Sequence, residues 1–317
     1  NEYKMKKIIL CGGSGYIGTK LTEHLLDNTN YEIAIADRLD FKLDNEFKAT
    51  RYSNSRVTFH QEDIRNLDFM GSIINEGSYV VNLAALVGEP LCKLKPDEAV
   101  EVNYEAAKNL AELCKRKNVK KFIQLSTCSN YGQAKEMADE NSDLFPTSLY
   151  AETKVNLEKY LLKNIPNSLI LRCATAYGLS VGRMRFDLLV SEFVKEAWLK
   201  KEINVFMPEV HRPIVHVSDI SSAILLCIEH EGPISRVYNV GSSNQNYTKR
   251  EIAEKVSKRL NATLKIVEKK DKRDYIVNFD RIKHELGFST KFLAEDGIEE
   301  MVKILEDGIF DLNQSNV

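Results

Sequence analysis

Gly12-Gly13-Ser14-Gly15-Tyr16-Ile17-Gly18 places three glycines at G-x-x-G-x-x-G spacing. The loop follows an apolar run, Ile8-Ile9-Leu10-Cys11, and opens a stretch with helical periodicity over 16–27. Glycine at these points permits the turn off a strand (Gly12), a close backbone approach to a pyrophosphate (Gly15) and tight helix–strand packing (Gly18). A helix N-terminus beyond them offers free N–H groups and partial positive charge to phosphates. About 20 residues further on stands Asp37, the distance at which dinucleotide sites keep a ribose-binding carboxylate. That carboxylate accepts from ribose hydroxyls and repels a 2′-phosphate, so NAD is expected rather than NADP. Arg38 is read as a loop charge beside the adenine, although a guanidinium can also pair with a phosphate.

Tyr150 and Lys154 form a Y-x-x-x-K. On a helix these positions share one face and point into one site. A phenol with a reference pKa of about 10 is a poor base at neutral pH. A neighbouring ammonium and an oxidised nicotinamide both favour the phenolate, which would bring Tyr150 into range as a general base. Lys154 can also hold the nicotinamide ribose.

These residues need a scaffold that collects them. Short apolar runs at 32–36, 57–60, 79–83, 122–126 and 168–172 alternate with helical stretches, among them 98–117 and 149–163. Near-continuous apolar strands alternating with helices predict an α/β fold with a Rossmann-type, doubly wound parallel sheet. After Gly178 the pattern loosens, with helices at 186–200 and 218–230 and strands at 204–206, 214–217, 237–240 and 263–267. The expected division is a dinucleotide domain over 1–173 and a smaller mixed α/β substrate domain over 174–317, with 213–241 partly returning to the first.

The chain has 317 residues and a formal charge of −2, from 44 Lys+Arg and 46 Asp+Glu. That balance offers no basic field for nucleic acid. The run Lys269-Lys270-Asp271-Lys272-Arg273 is broken by an acid. Six cysteines without a C-x-x-C pair, several in apolar runs, fit a reducing cytoplasm and no zinc site. The six histidines show no metal-ligand spacing, and no metal is expected. No apolar run is long enough to cross a bilayer, so no membrane association is expected, and the N-terminal residues read as a short polar lead.

The chain resembles the extended short-chain dehydrogenase/reductases, specifically the NAD-dependent epimerase/dehydratase family acting on nucleotide sugars. Besides the glycine loop, Asp37 and the Tyr150/Lys154 pair, the resemblance is carried by Asp63-Ile64, Leu83-Ala84-Ala85, Asn103 and Ser126-Thr127-Cys128-Ser129-Asn130-Tyr131-Gly132. It continues through Arg172–Gly178, Arg212-Pro213-Ile214-Val215-His216-Val217 and Arg273-Asp274. It implies that Asp63 and Ile64 contact adenine, and that Leu83, Ala84, Ala85 and Ala174 border the cofactor. It makes Thr127 the hydroxyl partner of Tyr150 at a sugar hydroxyl, a pairing that chemistry also favours, since two hydroxyls converging on one alcohol stabilise a developing alkoxide. Thr175, Arg185, Asp187, Arg212 and Arg273 are the expected ligands of a nucleoside-diphosphate sugar. Asn103 and His216 are expected to brace structure. Dehydratase members carry Asp-Glu after the Thr, where this chain has Cys128-Ser129, so dehydration is not expected. A 3,5-epimerase keeps a catalytic cysteine where Ser129 stands, which leaves Cys128 as packing.

Residues 84–92, 183–190 and 272–275 resemble GDP-heptose 4-dehydrogenases. Both net 4-dehydrogenation and 4-epimerisation begin with oxidation at C4, and both readings stay open. A non-catalytic NAD-binding regulator or scaffold is the alternative of another class. The resemblance also implies a homodimer built from helices 98–117 and 149–163.

Overall fold

Runs such as Ile8–Cys11, fully buried along their length, can only sit in a sheet covered on both faces. The computed structural model describes residues 5–134, 136–232, 234–308 and 311–314. Its strands are β1 (Lys7–Cys11), β2 (Glu32–Asp37), β3 (Val57–Gln61), β4 (Tyr79–Asn82), β5 (Lys121–Thr127) and β6 (Ser168–Cys173). They continue with β7 (Thr175–Tyr177), β8 (Glu202–Phe206), β9 (His211–His216), β10 (Val237–Val240), β11 (Asn246–Thr248) and β12 (Thr263–Val267).

Seven strands make one sheet in the order β10-β6-β5-β4-β1-β2-β3, and every pairing in it is parallel. The order reverses at β1, which lies between β2 and β4. Open α/β sheets bind ligands outside the strand carboxyl ends at such a point. Two smaller sheets, β11-β9-β7 and β12-β8, build the remainder. β10 is thus delivered to the main sheet from the second half, and the helix Val217–Glu229 packs on Tyr16–Asn28.

Most expected elements occur within a few residues of their expected ends. The helix expected over 98–117 runs from Pro96 to Arg116, but Glu101–Ala106 is wound as a π-helix. The wider turn carries Asn103, whose side chain accepts from Leu86 N at 2.8 Å and donates to Leu86 O at 2.9 Å. Asn103 therefore braces the loop after β4. That loop also holds a helix, Glu89–Leu94, with no counterpart in the sequence reading. Gly88 at φ 92 turns into it and Pro90 stands in its first turn; six residues are too few to show periodicity.

Glycine is required where backbones meet. A Cβ on Gly12, which has φ +73, would lie 2.6 Å from Ala84 N. A Cβ on Gly18 would lie 2.5 Å from the Gly13 carbonyl carbon. Gly18→Ala is expected to destabilise the fold by about 1–3 kcal/mol, since backbone must move to admit the methyl; urea unfolding of the variant and the parent measures it.

Candidate active site

One cavity of about 1800 Å³ opens at the carboxyl ends of the strands. Every cofactor, substrate and catalytic candidate named from the sequence borders it, from Gly12 to Arg273. Asn103, Cys128 and His216 do not. Cys128 is buried with its thiol directed at Arg172 O, 3.2 Å away. His216 accepts from Ser218 N at 3.0 Å and lies 2.5 Å from Glu300 Oε1.

At the glycine loop, Gly15 caps the helix Tyr16–Asn28 with no side-chain bond, and no acid stands in the first turn. The N-terminal N–H groups therefore meet no competing carboxylate, which suits a phosphate. Asp37 ends β2 and binds the loop itself: Oδ2 accepts from Ser14 N at 2.9 Å and Oδ1 from Leu39 N at 2.8 Å. Burial raises its carboxyl pKa, against the lowering pull of those two bonds. Each oxygen keeps a further lone pair, so the group fits ribose hydroxyls. Arg38 is engaged by Asp40, by Asp63 at 3.4 Å and by Glu98 at 2.8 Å. Three carboxylates around that guanidinium make this corner hostile to a 2′-phosphate. Loop and carboxylates together fit NAD.

Tyr150 and Lys154 lie on one face of the helix Leu149–Asn164, capped by Ser148 Oγ accepting from Ala151 N at 3.2 Å. Lys154 Nζ is 5.8 Å from the Tyr150 ring centroid and donates to Leu125 O at 3.2 Å. Burial pushes the Tyr150 phenol well above its ordinary value, and Arg185 opposes that rise. Burial also lowers Lys154 to about 8, against the opposing pull of Cys92, Glu158 and Cys173. Desolvation dominates at both groups because the pocket withdraws both from water. Thr127, at the end of β5, accepts from Ser129 N at 3.0 Å and shares a 2.8 Å contact with Ser129 Oγ.

Arg185 holds Asp187 through two bonds, 3.1 and 2.6 Å. Arg212 and Arg273 converge on Asp271: Arg212 Nη2 donates at 2.7 Å, Arg273 Nε and Nη2 both at 3.1 Å. Lys249 Nζ joins them at 3.1 Å. Burial acts to raise the Asp271 carboxyl, but Arg273 and then Arg212 hold it far below the usual carboxylate range. Sequence reasoning missed Asp271 and Lys249. The run 269–273 reads in the sequence only as broken by an acid, with Arg273 alone as a site residue; all five residues line the cavity. Lys249 carried no signal, since it merely begins a helix, Lys249–Leu260.

A family model described as "NAD dependent epimerase/dehydratase family" matches residues 8–241. The low-salt glycan biosynthesis protein Agl12 of Haloferax volcanii is 24% identical over 305 residues, covering 93% of this chain and 97% of that protein. A UDP-glucuronic acid 4-epimerase from Bacillus cereus, solved with UDP-glucuronic acid and NAD, superposes with a TM-score of 0.83. It is 25% identical, over 95% of this chain and 99% of that one. A dTDP-glucose 4,6-dehydratase from Bacillus anthracis, solved with NAD, shares the fold at TM-score 0.82 and 24% identity, over 96% and 97% of the two chains.

The Asp37 geometry gives a direct test. Asp37→Asn removes the negative charge and one acceptor, and is expected to weaken NAD binding about tenfold, the size of a lost charged hydrogen bond. It should also narrow the preference for NAD over NADP; calorimetric titration with both dinucleotides measures the two effects.

Proposed function

Because the chain belongs to the NAD-dependent epimerase/dehydratase family, we propose that it oxidises a hydroxyl of a nucleoside-diphosphate sugar, at C4, with Tyr150 as the base. The carrying observation is the order of groups around one cavity: glycine loop and Asp37, then Tyr150, Lys154 and Thr127, then the Arg212/Arg273/Lys249 cluster. Bound NAD would supply the hydride acceptor. Gly12, Gly15, Tyr16, Ile17, Gly18, Asp37 and Arg38 would hold it at one end. Asp63, Ile64, Leu83, Ala84, Ala85 and Ala174 would complete its walls.

In this reading Thr127 and Tyr150 bind the same sugar hydroxyl, and Tyr150 takes its proton as the carbon is oxidised. Lys154 holds the nicotinamide ribose and offers positive charge to the phenolate. Arg212 and Arg273 bind the diphosphate, while Thr175, Arg185 and Asp187 face the sugar. Arg185 also eases phenol ionisation. Removal of water is disfavoured: the positions after Thr127 hold a buried thiol, raised well above its ordinary pKa by burial, and a hydroxyl already bonded to Thr127.

Return of the hydride to the opposite face gives a 4-epimerase. The second reading is net 4-dehydrogenation to a 4-keto sugar. It is favoured by the segments that resemble GDP-heptose 4-dehydrogenases, since residues from 84–91, 183–189 and 272–275 all border the cavity. The name of the Agl12 relative supports a place in surface-polysaccharide biosynthesis. No helix among the described residues is long and apolar enough to cross a membrane, and all six cysteines are free and buried, which supports a cytoplasmic site. Leu94, Val100 and Leu162 are exposed on or beside the helices over 96–116 and 149–164, which supports a homodimer through these helices.

Tyr150→Phe is expected to lower turnover by about 10²–10⁴-fold, the usual contribution of a general base, with NAD binding retained. Unchanged turnover would show that Tyr150 is not the base. A panel of nucleotide sugars with excess NAD separates the two enzymatic readings: accumulating NADH marks net dehydrogenation, and a new diastereomer without NADH marks epimerisation.

A further inference from the structure

The helix that carries Tyr150 and Lys154 carries a third polar group on the same face, Glu158, one turn beyond Lys154. Glu158 is 2% exposed and pairs with Arg172, 4% exposed, from β6. Arg172 Nη2 donates to Oε2 at 2.6 Å and Nε to the same oxygen at 3.0 Å. The other oxygen, Oε1, accepts from Ser126 Oγ at 2.5 Å and from Asn130 Nδ2 at 2.8 Å. Ser126 is the residue before Thr127, and Asn130 lies in the turn that follows it. Arg172 continues the chain to Tyr131 OH at 3.0 Å, and Tyr131 OH donates to Asn239 Oδ1 on β10 at 2.7 Å. A single carboxylate therefore joins the helix bearing Tyr150 and Lys154, the strand end bearing Thr127, and the strand that leads to Ala174 and Thr175.

Resting on the roles given above to Tyr150, Lys154 and Thr127, we propose that Glu158 is a positioning residue: it clamps the helix against the end of β5 and sets a negative charge one helical turn from Lys154. The second half follows from the surroundings of Lys154. Its own helix presents Tyr150 and Glu158, the helix Glu89–Leu94 presents Cys92, and β6 presents Cys173. Glu158 is the carboxylate among these groups, and it opposes the burial that lowers the ammonium. Arg172 pairs with one of its oxygens, and Ser126 and Asn130 donate to the other.

Glu158→Gln keeps the shape and removes the charge. Competitive labelling of the protein with acetic anhydride across pH, read at Lys154 by peptide mass spectrometry, reports the Lys154 pKa without cofactor or turnover. It is expected to fall by about one pH unit, the effect of losing a nearby opposite charge. Turnover of the true substrate should then fall about tenfold at pH 9 and stay nearly unchanged at pH 6, because one pH unit is a factor of ten in the charged fraction. An unmoved Lys154 pKa, or an equal loss of turnover at both pH values, overturns the proposal. A lowered pKa with unchanged turnover upholds the link and overturns the role assigned to Lys154. Should Glu158→Gln fail to fold, the double variant Glu158→Met/Arg172→Met removes both charges without stranding either, and the same labelling decides.

Discussion

The reversal of strand order at β1 is the constraint from which the rest follows. Chains leaving β1 and β4 cross to opposite faces, so the carboxyl ends part and a crevice opens between them. The crevice keeps its shape only if the loop after β1 lies directly on the loop after β4. Gly12 does so, with Leu83 and Ala84 backbone where its side chain would be. One methyl at that contact would push the two loops apart, and close packing leaves no slack to absorb it. The next turn repeats the logic, Gly18 lying on Gly13. Dinucleotide site and sheet topology are thus one packing problem.

What the crevice does to ionisable groups is the second consequence. It is deep enough to withdraw Tyr150 and Lys154 from water, and withdrawal raises the phenol and lowers the amine. Both shifts favour the uncharged pair. The protein counters them with fixed charges placed at either end: Arg185 towards the phenol, Glu158 towards the amine. Each is itself tied, Arg185 by Asp187 and Glu158 by Arg172. A charge that is held in place needs no reorganisation when the reaction creates its opposite, which is how preorganised electrostatics lowers a barrier.

The parts that could be read from the sequence are those with a local rule behind them. Strand runs such as Ile8–Cys11 are uniformly apolar because both faces are covered. The glycine triplet is forced by backbone approach, and Tyr150/Lys154 by helical spacing. The groups that could not be read are defined by partners distant in the chain. Arg172 gave only a family resemblance; its function in the fold depends on Glu158, fourteen residues away in sequence and adjacent only once β6 lies against the helix. Asp271 stands in the sequence only as the acid that breaks a basic run, and its partners Arg212 and Lys249 are distant in the chain. The π-helical turn at Glu101–Ala106 has no signature in residue types, and the contact its Asn103 makes is to Leu86, in the loop after β4.

Asp271 also shows why the proposed anion site would contain an acid. Arg212, Arg273 and Lys249 would repel one another if left alone in a partly buried cluster, and both arginines act to lower the Lys249 ammonium. One carboxylate among three cations removes that conflict and fixes their donors in position. Three positive charges and one negative leave a net of about +2, and a nucleotide-sugar diphosphate carries about two negative charges. A cluster without the acid would be more positive but less ordered, and binding would have to meet the cost of arranging flexible side chains. With it, the guanidinium of Arg212 is already fixed by Asp271, by the carbonyls of His211 and Arg273, and by the Tyr275 ring beneath it. On the proposed reading, the cradle is therefore matched in charge to a diphosphate and set in geometry before it binds.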